Sequence, residues 1–212
     1  MAIISSRPSV ARIKTRWRKK GARTLVERAG VIGANLWKLS LEIFKHMEKE
    51  GFRFGSDRLV TRVLAEFIAF LVQLVDRTVY GTLSESDRAT FVRAVVDHLA
   101  ATLENNQLDL FGPAESGDYR TPFIDLLNAR FADYAEFEYS GGEPGYPCLR
   151  YFATQVSDAM ASGDNKWVVE QMIDIEAPEM VRWVRKLVEQ TVAPTGLSAS
   201  TASAAGTPPE GA

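Results

Sequence analysis

The side chains that could do chemistry in this sequence are few and scattered. They are two histidines, His46 and His98, one cysteine, Cys148, and the carboxylates Glu66 and Asp76, which interrupt an otherwise apolar stretch. Glu42 and His46 stand four residues apart, so on a helix they share a face, a spacing that serves two metal ligands or a surface ion pair. Two ligands do not make a metal site, and the Glu-x-x-His spacing of di-iron carboxylate bundles occurs nowhere in the chain. The ion pair is the expected reading, with no metal and no cofactor. His98 borders the apolar stripe Phe91, Val95 and Leu99. We expect a half-buried imidazole satisfied by one neighbour, because proton transfer needs a second group brought from another helix.

Arg62, Glu66, Gln73, Asp76 and Arg77 form a narrow polar seam on a hydrophobic helix. If that helix is central, the seam must reach solvent or pair internally, since a bare buried carboxylate costs several kcal/mol. Arg62 and Glu66, four apart, offer the local pair. The functional alternative is a polar pocket between helices in which Glu66, Gln73, Asp76 and His98 meet a ligand. Cys148 falls in the first turn of a helix, where backbone amides can lower a thiol pKa, but a small buried thiol is the simpler expectation.

The segment "SGGEPG" resembles a phosphate loop only in its glycines: no Lys-Ser/Thr follows, and Glu143 stands where an anion would approach. It reads as a helix-to-helix turn. Around it, Tyr134, Phe137, Tyr139, Tyr146, Tyr151 and Phe152 alternate with Asp133, Glu136, Glu138 and Glu143. The expected arrangement is an aromatic core beneath an acidic surface. The alternative is a docking patch for a basic partner, formed by Asp133, Glu136, Phe137, Glu138 and Tyr139.

The strongest physical feature is the distribution of charge. "ARIKTRWRKKGAR", residues 11–23, holds seven basic side chains. Residues 1–28 carry nine Lys or Arg against Glu27 alone, a balance of +8, so with a net charge of −2 the remainder carries −10. On a helix, Arg12, Arg16, Lys19 and Arg23 form one stripe, with Ile13 and Trp17 beside it and Lys14, Arg18 and Lys20 adding to the charge. Such a segment suits an anionic membrane surface, each cation contributing about 1 kcal/mol. It also suits an acidic protein partner, including residues 133–143 of its own chain or of a second copy. Nucleic acid is the weaker reading, because the acidic body would repel it and no DNA-binding motif occurs. A removable targeting segment is a further alternative, as no acidic residue precedes Glu27.

The elements that position these groups are read from apolar spacing and caps. One helix is predicted from Ala22 to about Glu50, and a second, the most hydrophobic, from the N-cap Ser56 to Tyr80, ended by Gly81. A third starts at Ser84, with Asp87 completing a short capping box, and fades in "ENNQ". Thr121 and Pro122 open a fourth, Pro147 a fifth, and Asn165 a sixth that Pro178 should kink or divide. Residues 193–212 have one Leu and no aromatic residue, too little apolar surface for order. We therefore expect an all-α chain: a basic arm at 1–21, a single helical bundle of five to seven helices at 22–192 around a central second helix, and a disordered tail at 193–212.

No stretch approaches the roughly 20 apolar residues of a membrane span, and the order of basic and apolar residues at the start does not match a secretory signal. One cysteine in 212 residues suits a reducing compartment. A cytoplasmic protein, peripheral at a membrane, is expected. Its expected function is non-enzymatic docking of the basic arm (Arg12, Arg16, Trp17, Lys19, Lys20, Arg23) on a membrane or acidic protein partner, with homo-oligomerisation as one form of it. The alternative is a ligand-binding or catalytic bundle around the polar seam.

Overall fold

Thirteen consecutive residues, Val63 to Val75, are buried. A helix can hide every face over that length only if other elements surround it, and this one, α2 (Asp57–Val79), packs against α1 (Leu25–Lys49), α3 (Glu85–Phe111), α4 (Arg120–Ala135), α5 (Tyr146–Met160) and α7 (Ala177–Val192). The expected all-α bundle with a central second helix is thus the fold. The computed structural model describes residues 23–115, 117–161 and 167–192. The arm at 1–21, with Arg12, Arg16, Trp17, Lys19 and Lys20, the tail at 193–212, and the predicted helix start at Asn165 lie outside the described residues.

Local chemistry sets most boundaries. Thr24 caps α1 in a reciprocal box with Glu27: the Glu27 amide donates to Thr24 Oγ1 at 3.2 Å and the Thr24 amide to Glu27 Oε2 at 2.9 Å. Ser56 and Ser84 cap α2 and α3 as their spacing predicts. Gly81, at φ +76°, turns the chain after α2.

Three elements depart from the sequence reading. Helix α3 does not fade in "ENNQ" but runs to Phe111; Asn106 donates to its own turn at Thr102 O (2.7 Å), and the Arg58 guanidinium lies 4.8 Å from the Phe111 ring centre. Helix α4 starts one residue before Thr121, and the capping acceptor is Asp118, whose Oδ1 takes the Thr121 amide at 2.6 Å. This bond holds the Asp118 carboxyl below the ordinary aspartate range. Within "YSGGEPG", residues Tyr139–Ser140 (β1) and Glu143–Pro144 (β2) pair antiparallel across Gly141 and Gly142, both at positive φ, in a tight hairpin.

The sixth helix is divided just before Pro178, as expected, by a wider turn rather than by an open break. The short α6 (Val168–Gln171) passes through a π-helical turn, Met172–Glu176, directly into α7. Widening the turn lets the Ala177 amide bond to Met172 O, five residues back, so the missing donor of Pro178 is absorbed at the end of a locally rewound segment. The same turn sends Glu176 inward, where it is 2% exposed.

Helix α1 approaches α3 closely at Gly33. A Cβ there would lie 2.7 Å from His98 Cδ2, so the missing side chain makes room for the imidazole.

Candidate functional site

Glu66, Phe70, Gln73 and Arg77 repeat at four, three and four residues along α2 and so line one face of it. That face meets α4, the β1–β2 hairpin and α5. At its start, Glu66 is 4% exposed and accepts two bonds from Arg130 of α4, from Nε and Nη2, each 2.7 Å. This forked pair corrects the expected Arg62–Glu66 contact: Arg62 is exposed on α2, while the planar guanidinium arriving from α4 satisfies both carboxylate oxygens together. Arg130 also reaches the Tyr151 hydroxyl at 3.3 Å, and that hydroxyl donates to Asp133. Burial, reinforced by the Asp133 carboxylate, pushes the Tyr151 phenol up to about 12. The Glu66 carboxylate in turn holds Arg130 firmly protonated.

Two turns further on, Gln73 faces the Tyr139 hydroxyl. That hydroxyl lies 3.3 Å from Cys148 Sγ. Cys148 is fully buried, and burial raises its thiol above the ordinary range; the expected buried thiol is what the structure contains, and its neutral form is favoured against the nucleophilic thiolate. Tyr134, also fully buried, has a hydroxyl without a hydrogen-bond partner among the described residues.

The four residues predicted to share a pocket turn to different partners. Glu66 takes Arg130, Gln73 faces Tyr139, Asp76 accepts from Arg88 of α3 at 2.5 Å, and His98 packs against Gly33 of α1. Gln73 and Asp76 line a cavity of about 500 Å³ between α2, α3 and α4; Glu66 and His98 are not among its lining residues. His98 also departs from expectation, as its Nε2 is buried with no hydrogen-bond partner among the described residues and burial lowers its pKa.

In the acidic and aromatic segment, Asp133 is engaged by Tyr151 and Arg130, while Glu136 and Glu138 are exposed. Phe137 and Tyr139 are half-buried, Phe137 with its ring centre 5.5 Å from that of Tyr151. Aromatic packing beneath an acidic surface therefore describes these residues. Arg23 is exposed immediately before the Thr24 cap.

His46 does not pair with Glu42. Its Nδ1 meets Glu176 Oε1 at 2.6 Å and its Nε2 lies 3.7 Å from Glu50; Gln171 Nε2 donates to the same Glu176 oxygen at 2.9 Å. The hydrogen bond and charge of Glu176, with Glu50 and Glu179 nearby, raise the His46 pKa above 6.5. Its contribution to stability is complete below 6.5 and is lost as pH rises through the higher folded value. His98 acts oppositely: its lowered folded pKa means stability is lost as pH falls below 6.5. We expect the two histidines to give a melting-temperature maximum near pH 6.5, followed by differential scanning fluorimetry between pH 5.5 and 8. His46→Gln should remove the falling limb alone; an unchanged falling limb would show that another group causes it.

Among the described residues, no three His, Cys, Asp or Glu side chains are grouped to hold a metal ion, and no helix is long and apolar enough to cross a membrane. Comparison with protein-family models, curated proteins and solved structures finds no match.

A larger cavity, about 720 Å³, opens between the end of α2, the hairpin and the last turns of α7, with residues from 135–142 on one wall and Val188, Glu189 and Val192 on the other. Arg28 of α1 donates from Nη1 to Val192 O at 3.2 Å, so the start of α1 joins the end of α7 beside this cleft. Arg77, Arg130, Tyr151 and Arg185 were not singled out as site residues by sequence reasoning, apart from the place of Arg77 in the seam. Their partners lie on other elements and leave no local spacing signal.

Proposed function

We propose that this chain is a non-enzymatic helical interaction protein whose basic N-terminal segment docks on the anionic surface of a membrane. The observation that carries the reading is the charge split, +8 in residues 1–28 against −10 in the rest. The cations that meet lipid phosphates are concentrated in one segment, with Ile13 and Trp17 to enter the headgroup layer, while the acidic body stays off the surface. On this reading the protein is cytoplasmic and peripheral.

Co-sedimentation of the full chain with vesicles tests it. Phosphatidylcholine vesicles containing phosphatidylserine should bind the protein in a salt-sensitive manner, and pure phosphatidylcholine vesicles should not. Replacing Arg12, Arg16, Lys19 and Lys20 with Gln should weaken binding by more than about a hundredfold, since four cations at about 1 kcal/mol each are removed. Equal binding to both vesicle types, or binding unaffected by the substitutions, would sink the reading, and tight binding to duplex DNA in the same buffer would favour nucleic acid.

A second reading has its own support. Residues from 135–142 and the end of α7 line one cleft, and Arg28 links α1 to that end. Glu136 and Glu138 are exposed on the body, and on this reading they receive the basic segment of the same chain or of a second copy. Light scattering of the wild type and of Glu136→Gln/Glu138→Gln separates these cases: a dimer that dissociates in the variant supports docking between copies.

A further inference from the structure

We infer that the cleft on the hairpin side of Arg77 binds a small organic anion: a carboxylate or phosphate group carried on an aromatic or aliphatic body. This inference does not depend on the membrane reading and concerns a different part of the molecule.

The two cavities already described meet at one place. Arg77, Tyr80 and Ala135 line both, the larger of about 720 Å³ and the smaller of about 500 Å³, volumes ordinary for small-molecule sites. The other arginines packed into the bundle here each have a carboxylate. Arg88 has Asp76 and Glu85, Arg130 has Glu66, and Arg185 has Glu143 at 3.0 Å. Arg77 has none among the described residues. Its Nε is buried without a hydrogen-bond partner, and its guanidinium carbon lies 4.9 Å from the centre of the Tyr139 ring.

That stacking fixes the plane of the guanidinium but uses none of its N–H donors. A planar fork held in this way matches two oxygens of a carboxylate or phosphate, and a desolvated donor with no acceptor is costly until one arrives. A cationic guest would be repelled by Arg77, and a neutral acceptor would take its donors in weaker bonds than an anion does. The body of the ligand has apolar walls beside the charge: Tyr80 and Phe137 on one side, Val188 and Val192 on the other. Arg185 is balanced by Glu143 at 3.0 Å and Glu189 is exposed, so attraction for the anion rests on Arg77. In a body whose charge is strongly negative, Arg77 is a cation at this cleft with no carboxylate of its own among the described residues, and this favours an anionic guest.

Calorimetric titration of the full chain with phenyl phosphate tests the assignment, with benzyl alcohol as an uncharged aromatic of similar size. Phenyl phosphate should bind saturably at millimolar concentration and benzyl alcohol at least about tenfold more weakly. Arg77→Met should weaken phenyl phosphate about tenfold or more. Arg77→Lys keeps the charge but not the fork, and should recover part of the affinity even if loss of the Tyr139 stack lowers the melting temperature. The Gln variant of Arg12, Arg16, Lys19 and Lys20 should bind phenyl phosphate as the wild type does, which separates this site from anion capture by the basic segment. Equal binding of the two probes, no saturable binding, or full affinity in Arg77→Met would each overturn the inference.

Discussion

Replacing Glu66 with Ala should cost about 3 kcal/mol of folding stability or more, read as a lowered urea midpoint with an unchanged slope. Glu66 is 4% exposed and binds Arg130 through both carboxylate oxygens. Removing it leaves the guanidinium, whose side chain is only 19% exposed, with the Tyr151 hydroxyl and a more distant Asp133 as its remaining acceptors. Most of the loss therefore comes from the stranded cation rather than from the missing attraction. For the same reason Glu66→Leu combined with Arg130→Met should recover much of what Glu66→Ala loses, since it removes both charges and fills the space. A loss below about 1 kcal/mol in Glu66→Ala would place the pair among weak surface bridges and contradict its burial.

Phe152→Ala should be as damaging, costing about 3–5 kcal/mol. Phe152 is fully buried; its ring stacks on Phe70 with centres 4.0 Å apart and an 11° tilt, and meets Phe67 edge-on at 6.3 Å. These contacts fasten α5 to α2, and truncation opens a void walled by helices that each have other partners and so cannot collapse freely. Chemical denaturation checks the size of the effect. A loss comparable to an exposed substitution would mean that α5 is held mainly by other contacts.

The parts of this structure that could be read from the sequence are those set by neighbours along the chain. The apolar surface of α2, the serine caps at Ser56 and Ser84, the turn at Gly81 and the start of α5 near Pro147 each depend on a few consecutive residues. The polar partners are different. Glu66 and Arg130 are 64 residues apart and His46 and Glu176 are 130 apart, so no periodicity announces them. In both cases a spacing of four suggested a partner on the same helix, Arg62 or Glu42, and a better-oriented group from another element took its place. The π-helical turn was hidden for a related reason: Pro178 marks a missing donor, but whether the helix breaks or rewinds is decided by what the rewound face can bury, here Glu176 against His46 and Gln171. The seam on α2 was legible as a row of polar residues, whereas the cleft beside Arg77 needs the hairpin and α7 to close it.

The bond from Arg28 to Val192 has a topological meaning as well. It brings the start of α1 and the last residue of α7 together, so that both ends of the described bundle leave from one corner. Whatever is attached ahead of α1 and whatever follows α7 share one anchorage, and a pull on either is felt at the same corner of the molecule.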